Sequence, residues 1–156
     1  MEKKMREITM INQQQLDLLK QEVATTWNRW RAEHPDTAIE LNGVDLSEAN
    51  LAEVNLAGAD LSGADLSRGD LNRANLSRAR LAGADLSGAN LAGADLSAAD
   101  LREADLREAN LRDADLAGAD LSNADLREAR LNWAMLEGAL TTQQQLSQAR
   151  VGGDSL

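Results

Sequence analysis

Residues 84–103 read ADLSGANLAGADLSAADLRE, which is four units of five residues with leucine at the third place of each unit. The same period runs without a break from Leu41 to Leu136 and makes twenty consecutive units. Alanine stands two residues before the leucine in sixteen units, and aspartate or asparagine stands directly before it in sixteen. A fixed internal period of this kind decides the architecture before any local preference does.

A five-residue period suits neither an α-helix nor a flat strand. On a helix five residues advance about 500°, so the leucines would spiral around the cylinder instead of forming one apolar stripe. On a flat strand successive leucines would point to opposite faces, whereas alanine and leucine two residues apart point to the same face. Both requirements are met if the chain turns a corner in every unit. A short extended piece then carries alanine and leucine inward, and residues such as Ser87 and Gly88 form the turn.

Units such as residues 74–78, which read ANLSR, resemble the repeats of the pentapeptide repeat family. The resemblance covers residues 39–138 and implies an all-β solenoid, a right-handed quadrilateral β-helix with four pentapeptides in each coil. The twenty units then make about five coils, with the leucine and the small residue before it inside. The predicted organisation is an N-terminal helical cap over residues 1–38, the β-helix over 39–138, and a C-terminal cap and tail over 139–156.

An apolar stripe precedes the repeats and predicts an N-terminal capping α-helix, because its members recur at helical spacing. The stripe comprises Leu16, Leu19, Val23, Trp27 and Trp30. Asn12 followed by Gln15 is typical of a helix start, and Pro35 ends the pattern. We expect the stripe to lie on the first coil and to cover its open edge. The alternative is that the stripe binds a helix of a partner.

At the other end, residues 142–145 predict the start of a second short helix, which Gly152 and Gly153 would end. Three apolar residues lie nearby: Trp133, Met135 and Leu140. They form either a short cap, with Trp133 packed beside Leu136, or the interface of a homodimer. The resemblance supports the second alternative, since some family members pair through their C-terminal ends. The sequence therefore predicts a monomer or an end-paired homodimer.

The composition excludes most catalytic chemistry. Of 156 residues none is cysteine and one is histidine, so disulfides, thiolate sites and histidine clusters are excluded. We predict no catalytic residue, no cofactor and no metal site, and thus no enzyme. No apolar run reaches the length of a membrane span and the charged start lacks an apolar leader core, so we expect a cytoplasmic protein without membrane contact. The abundance of the resembled family in bacteria suggests a bacterial source.

The net charge of −10 lies in the repeats, because residues 1–38 hold six basic and six acidic side chains. Stacking units that are twenty residues apart places carboxylates in two adjacent outward columns. One column contains Asp45, Asp65, Asp85, Asp105 and Asp125, and the other contains Glu40, Asp60, Asp100 and Asp120. One side of the solenoid is therefore predicted to be acidic.

Three interpretations of this acidic side stay open. In the first, the protein is a non-catalytic interaction scaffold that presents acidic faces to a protein partner with a basic patch. The second follows from the resemblance: a DNA-mimicking protein that binds a type II topoisomerase (gyrase), as some family members do. In the third, aspartate and asparagine only build the corners and keep the protein soluble. Direct binding of nucleic acid is disfavoured by the negative charge and by an aromatic content of 2%.

Overall fold

The computed structural model describes residues 2, 13–21 and 24–151. Within them the repeat units pair in parallel with the unit twenty residues further on, from Glu40 with Asp60 to Asp120 with Leu140, and Arg130 pairs with Arg150. Four units therefore complete one coil, and the coils stack into a right-handed β-helix solenoid with four faces, as predicted. The β-structure consists of single paired residues rather than long strands, because every unit spends two of its five residues on a turn.

The four faces are named by the leucines of the first coil: Leu41 for face one, Leu46 for face two, Leu51 for face three and Leu56 for face four. Helical segments flank the coils in the described residues. They are α1 over residues 13–20, α2 over Ala24–Glu33 and α3 over Gln143–Gln148. In the part of the chain that the structure describes, no helix has the length and apolar character needed to cross a membrane.

The hydrogen bonds of one central unit show how stacking satisfies the backbone. The Leu86 N–H donates to the Asp105 carbonyl of the following coil at 2.8 Å. The Asp85 N–H donates to the Ala64 carbonyl of the preceding coil at 2.9 Å. The corner is closed by the Ala89 N–H, which donates to the Leu86 carbonyl at 3.0 Å. Because each coil depends on its neighbours for these bonds, both ends of the solenoid need other partners.

The interior is the narrow shaft of leucine and alanine that the sequence predicts. The leucines from Leu56 to Leu121 have none of their surface exposed, and the alanines that stand two places before these leucines are buried as well. The residue two places after the leucine has a positive φ of 55° to 70° in all twenty units. A corner with this backbone conformation is a tight turn that favours glycine, which explains why glycine stands there in eight units.

A substitution at Gly69 probes the packing of the shaft. Gly69 is buried at a position where other coils carry alanine, such as Ala89. Its φ is not positive, and a Cβ added to it would meet the Leu66 carbonyl oxygen at 3.1 Å. We expect Gly69→Ala to raise the free energy of unfolding by about 0.5–1 kcal/mol, because the unfolded chain loses freedom and the alanine units accommodate the same methyl group. Gly83→Ala, at a corner with φ +66°, is expected to lower it by about 1 kcal/mol. Urea denaturation followed by circular dichroism measures both changes, and equal signs would contradict this account.

At the N-terminal end, side chains of α2 bond to the face-four edge of the first coil. The indole Nε1 of Trp27 donates to the Asn55 carbonyl at 2.6 Å, and the Asn55 N–H donates to Oδ1 of Asn28 at 2.8 Å. The Arg31 guanidinium donates to the Ala57 carbonyl at 3.2 Å. In every later coil of face four, backbone atoms of the preceding coil make these three bonds. Three side chains thus take the places of backbone groups of a coil that does not exist.

The prediction of one continuous N-terminal helix is wrong, because Gln21 lies in a turn between α1 and α2. The division lets the two helices reach different faces. From α1, Gln15 accepts from the Glu40 N–H of face one at 3.4 Å and donates to the Ala38 carbonyl at 2.9 Å, whereas α2 bonds to face four.

The members of the apolar stripe differ in burial. Leu19 and Trp27 are buried, and Leu16 and Trp30 are half-buried against the core. Val23 and Asn12 lie outside the described residues.

The second short helix, α3, begins where the sequence predicts. The Gln145 N–H donates to the Thr142 hydroxyl at 3.1 Å, and the Thr142 N–H donates to Oε1 of Gln145 at 2.9 Å, which is a capping box. The expectation that Gly152 and Gly153 end this helix is wrong, because α3 ends at Gln148. The glycines themselves lie outside the described residues.

Candidate functional site

The predicted acidic columns lie on faces one and two, with their aspartates in register. On face two, paired residues form a column of Asp45, Asp65, Asp85, Asp105 and Asp125. On face one the column runs through Asp60, Arg80, Asp100 and Asp120. Arg80 interrupts the second column and lies 3.1 Å from Asp60. Face two therefore carries the longer unbroken row of carboxylates.

Each aspartate also builds its own corner. The Asp65 carboxylate accepts the Ser67 N–H at 2.9 Å and the Ser67 hydroxyl at 2.6 Å. Asparagine does the same, since Oδ1 of Asn75 accepts the Ser77 N–H at 3.0 Å. This side-chain turn explains why aspartate or asparagine precedes most leucines. An acceptor oxygen stabilises the corner, and because asparagine supplies one without a charge, the negative charge is a separate feature of the aspartates.

Arginine lies within 4.0 Å of five of the eight predicted aspartates and binds three of them through both carboxylate oxygens. In these three pairs the arginine follows the aspartate by two residues and donates to the carboxylate from Nε and Nη2. The pairs are Asp100 with Arg102, Asp105 with Arg107 and Asp125 with Arg127. The hydrogen bond from the arginine side chain is the main cause that lowers the pKa of these three aspartates. The last two coils are therefore less acidic on this side than the columns alone predict.

Three aspartates keep their charge unpaired: Asp45, Asp65 and Asp85, in the first three coils of face two. Serine follows each by two residues, and no lysine or arginine nitrogen among the described residues lies within 4.0 Å of these carboxylates. We call this row the serine strip, comprising Asp45, Asp65 and Asp85 with Ser47, Ser67 and Ser87. The Ser47 hydroxyl is the main cause that lowers the pKa of Asp45, so this carboxylate is ionised at neutral pH.

Acid should weaken the arginine-paired corners. The pKa of Asp105 and of Asp125 is lower in the folded than in the unfolded state, so the folded state binds fewer protons in the range between the two values. Their contribution to stability is complete above the unfolded pKa of about 4 and is lost as the pH falls through the folded pKa. We expect Tm to fall below about pH 4, and the fall to be smaller in a variant with Asp105→Asn and Asp125→Asn.

The control for this pH prediction is a variant with Asp95→Asn and Asp115→Asn. Neither aspartate has an arginine two residues on, because Ser97 and Ala117 stand there. Thermal unfolding followed by circular dichroism between pH 2.5 and 7 measures all three proteins. If Tm falls equally with pH in the two variants, the arginine pairs are not the cause of the loss of stability in acid.

The C-terminal residues that the sequence assigns to a cap or a dimer interface lie on the surface. Trp133 is 75% exposed, Met135 53% and Leu140 58%. α3 lies beside other residues of the last coils, since Nε2 of Gln145 donates to the Leu121 carbonyl at 2.8 Å and to the Ala124 carbonyl at 2.9 Å, and the helix buries none of its own residues. The short cap and the homodimer interface both stay predictions.

The described residues form stacked four-unit coils with polar outer faces around a shaft of leucine, which defines a parallel β-helix solenoid of pentapeptides. The chain belongs to the pentapeptide repeat family: the family model described as pentapeptide repeats matches residues 39–78, 69–107 and 104–140, with eight copies. No enzymatic family is indicated by these matches.

Solved structures that are similar are also pentapeptide repeat proteins. One, from the thylakoid lumen of Arabidopsis thaliana, has 29% identity and a TM-score of 0.51, over 74% of this chain and 83% of that chain. Another is HetL from the cyanobacterium Nostoc, involved in regulating heterocyst differentiation, with 34% identity and a TM-score of 0.43 over 77% and 73%. A second Nostoc protein has 34% identity and a TM-score of 0.37 over 83% and 95%. A comparison with functionally curated proteins gave no match.

Proposed function

We propose that this protein is a non-catalytic interaction scaffold whose serine strip binds a basic surface on a protein partner. One observation carries the proposal: each of the first three coils of face two presents an aspartate, about 4.8 Å from the next, that has no arginine within 4.0 Å among the described residues. Neighbouring carboxylates at this spacing repel each other by about 1 kcal/mol in water. A cationic partner relieves that repulsion, so the strip favours binding of lysine or arginine side chains.

The shape of the strip supports binding rather than catalysis. The carboxylates of Asp45, Asp65 and Asp85 stand on an outer wall, where Asp45 is exposed and Asp65 and Asp85 are half-buried. A catalytic carboxylate usually needs burial or a paired charge to shift its pKa toward neutrality. The absence of an enzymatic family among the matches points the same way. The cytoplasmic location and bacterial source stay predictions.

The test compares two variants that lose the same number of charges from different faces. The strip variant carries Asp45→Asn, Asp65→Asn and Asp85→Asn, and the control variant carries Asp70→Asn, Asp95→Asn and Asp115→Asn. Asparagine occupies this position naturally in five units, so both variants keep their corners. Each immobilised protein is exposed to an extract of the native cell at low and high salt. We expect the partner to bind the wild type and the control, and its recovery to fall at least tenfold with the strip variant. Equal recovery by both variants would refute the proposal.

A second candidate function is mimicry of DNA at a type II topoisomerase (gyrase). Five coils span only about 24 Å, which is short for mimicry of a DNA segment. The exposed Trp133, Met135 and Leu140 favour this function because a dimer paired through them would double the length of the solenoid. A supercoiling assay with purified gyrase tests the idea directly. We expect inhibition or protection at micromolar protein, lost with Trp133→Asp if pairing is required. No effect at either low or high salt would exclude this function and leave the scaffold.

A further inference from the structure

The outward column of face three changes its charge towards the C-terminal end of the solenoid. Its paired residues run from Asn50 through Asp70, Asn90 and Asn110 to Arg130 and Arg150. In the fifth coil, faces one and two carry Asp120 and Asp125 at the place that Arg130 takes on face three. Arg130 and Arg150 are both exposed, and their paired backbones lie about 4.8 Å apart. Face three therefore ends in two cations that stand one above the other.

A third arginine stands beside this column because of the geometry of the corner. On face two, Nε of Arg107 is 3.9 Å from the carboxylate of Asp125, which follows it by eighteen residues and belongs to the next coil. The equivalent pair on face one has the same separation. On face three the two positions are occupied by Arg112 and Arg130. Two cations thus occupy neighbouring positions where the other two faces pair a cation with an anion.

These arginines have few acidic partners of their own. Arg112 and Arg130 have no carboxylate oxygen within 4.0 Å in the part of the chain that the structure describes. Arg150 is paired with Glu128. The residue two places before Arg112 is Asn110, whose Oδ1 accepts the Arg112 N–H at 3.4 Å but carries no charge. We call Arg112, Arg130 and Arg150 the arginine cluster.

The surroundings of the arginine cluster have the composition of a protein-binding surface. Trp133 ends the same face at the corner of the fifth coil, with 75% of its surface exposed. Arginine and tryptophan are residue types that are enriched where proteins bind one another. In the fourth coil the acidic residues Glu108 and Asp113 stand at the two corners that bound the face. The wall between those corners therefore offers guanidinium groups to an anionic surface.

The serine strip has the opposite charge and the same repeat. Its aspartates stand one coil apart on face two, in coils one to three, and the arginine cluster stands on face three from the fourth coil onwards. Both rows therefore advance by about 4.8 Å per coil along the solenoid axis. Two solenoids that lie side by side can bring carboxylates of one row to guanidinium groups of the other, in bonds of the kind that Asp105 and Arg107 already form. Within one chain the two rows lie on different faces and in different coils.

We propose that the arginine cluster of one molecule docks on the serine strip of a second copy of this chain. The inference rests on the proposed function, because it identifies the basic surface that the serine strip binds. The two surfaces differ, so the contact is heterologous: a dimer keeps one free strip and one free cluster, and further copies add unless a ring closes. At physiological salt, charges more than about 8 Å apart are screened, so the facing rows outweigh the repulsion between two molecules of net charge −10.

The test uses variants that each lose one of the two surfaces. The strip variant is the one defined above, and the cluster variant carries Arg112→Gln and Arg130→Gln. An arginine control carries Arg73→Gln and Arg78→Gln, two exposed arginines that also have no carboxylate within 4.0 Å among the described residues. Sedimentation velocity at increasing protein concentration measures the mass of each protein. We expect the mean mass of the wild type and of the arginine control to rise to at least twice that of the monomer. The strip and cluster variants should stay monomeric.

A mixture of the strip variant and the cluster variant separates this contact from any other. The strip variant keeps its arginine cluster and the cluster variant keeps its serine strip, so together they form a single contact. We expect equal amounts of the two proteins to form heterodimers and nothing larger. Such recovery on mixing also shows that both variants fold.

Three results would overturn the inference. The first is a wild type that stays monomeric at every concentration, and the second is a mixture that stays monomeric. The third is a wild-type dimer that does not grow and that persists in both variants, which would show pairing through other surfaces such as the C-terminal ends. None of these results refutes the proposed function, which fails if the strip variant and its aspartate control recover the partner equally from the cell extract.

Discussion

Leu86→Ala is expected to lower the free energy of unfolding by about 3–5 kcal/mol, because it empties the middle of the shaft. Leu86 has no exposed surface, and neither have Leu66 and Leu106, which stand in the coils before and after it. The backbone bonds between coils hold these neighbours at a fixed spacing, so the shaft cannot collapse into the cavity. Chemical denaturation followed by circular dichroism measures the change.

The control for Leu86→Ala is the next residue along the chain. Ser87 is only half-buried and contributes its N–H, which donates to the Asp85 carboxylate at 2.9 Å, so Ser87→Ala keeps that bond. We expect a change within about 0.5 kcal/mol. Leu136→Ala, in the last coil, should cost less than Leu86→Ala because Leu136 is half-buried. Equal costs for Leu86 and Ser87 would mean that the leucines do not carry the stability of the solenoid.

The coil register could be predicted from the sequence because one physical requirement sets it. Every leucine must be buried, together with the alanine two places before it. With a five-residue period this is possible if the chain turns once in every unit and forms a coil. The column of Asp45, Asp65 and Asp85 then follows from stacking alone. The parallel pairing of these residues confirms that step. Periodic burial thus determines which residues share a face even where no long strand forms.

The positions of the aspartate columns on faces one and two did not show which of these aspartates are paired with arginine. Whether Asp105 is paired depends on the residue two places on, which is serine in the first three coils of face two and Arg107 in the fourth. The signal was present in the sequence, but its meaning depends on the geometry of the corner. That geometry brings the guanidinium of Arg107 back onto the carboxylate, with Nε 2.8 Å from Oδ1.

The polar contacts at the N-terminal end were missed for a different reason. The apolar stripe predicts burial of Trp27, and the structure confirms it at 1% exposure. The stripe does not reveal that Asn28 and Arg31 bond to residues 25 and 26 places away in the chain. Contacts over such distances depend on how α2 is placed on the coil, which no local period encodes. The polar residues Asn28 and Arg31 close to Trp27 were the one sequence feature that pointed to an unpaired backbone edge beneath α2.

Trp27→Ala is expected to lower the free energy of unfolding by about 3–5 kcal/mol, comparable to the loss of a central leucine. The change removes a buried ring that joins the apolar core and also removes the donor to the Asn55 carbonyl. Because a solenoid is stabilised between neighbouring units, the first coil loses protection before the others. Trp27→Phe separates the two effects, since it keeps most of the ring and leaves the carbonyl unpaired, at a cost of about 1–3 kcal/mol.

Trp30 provides the matched control for this prediction. It is half-buried, lies 5.3 Å from Trp27 between ring centres and stacks on His34 at 4.9 Å. Trp30→Ala should therefore cost clearly less than Trp27→Ala in urea denaturation. Amide exchange at Leu56 and Asn55 should accelerate with Trp27→Ala and stay near the wild-type rate with Trp30→Ala. If both variants cost the same and exchange alike, α2 acts only as an apolar cover, and its side chains do not replace the backbone of a missing coil.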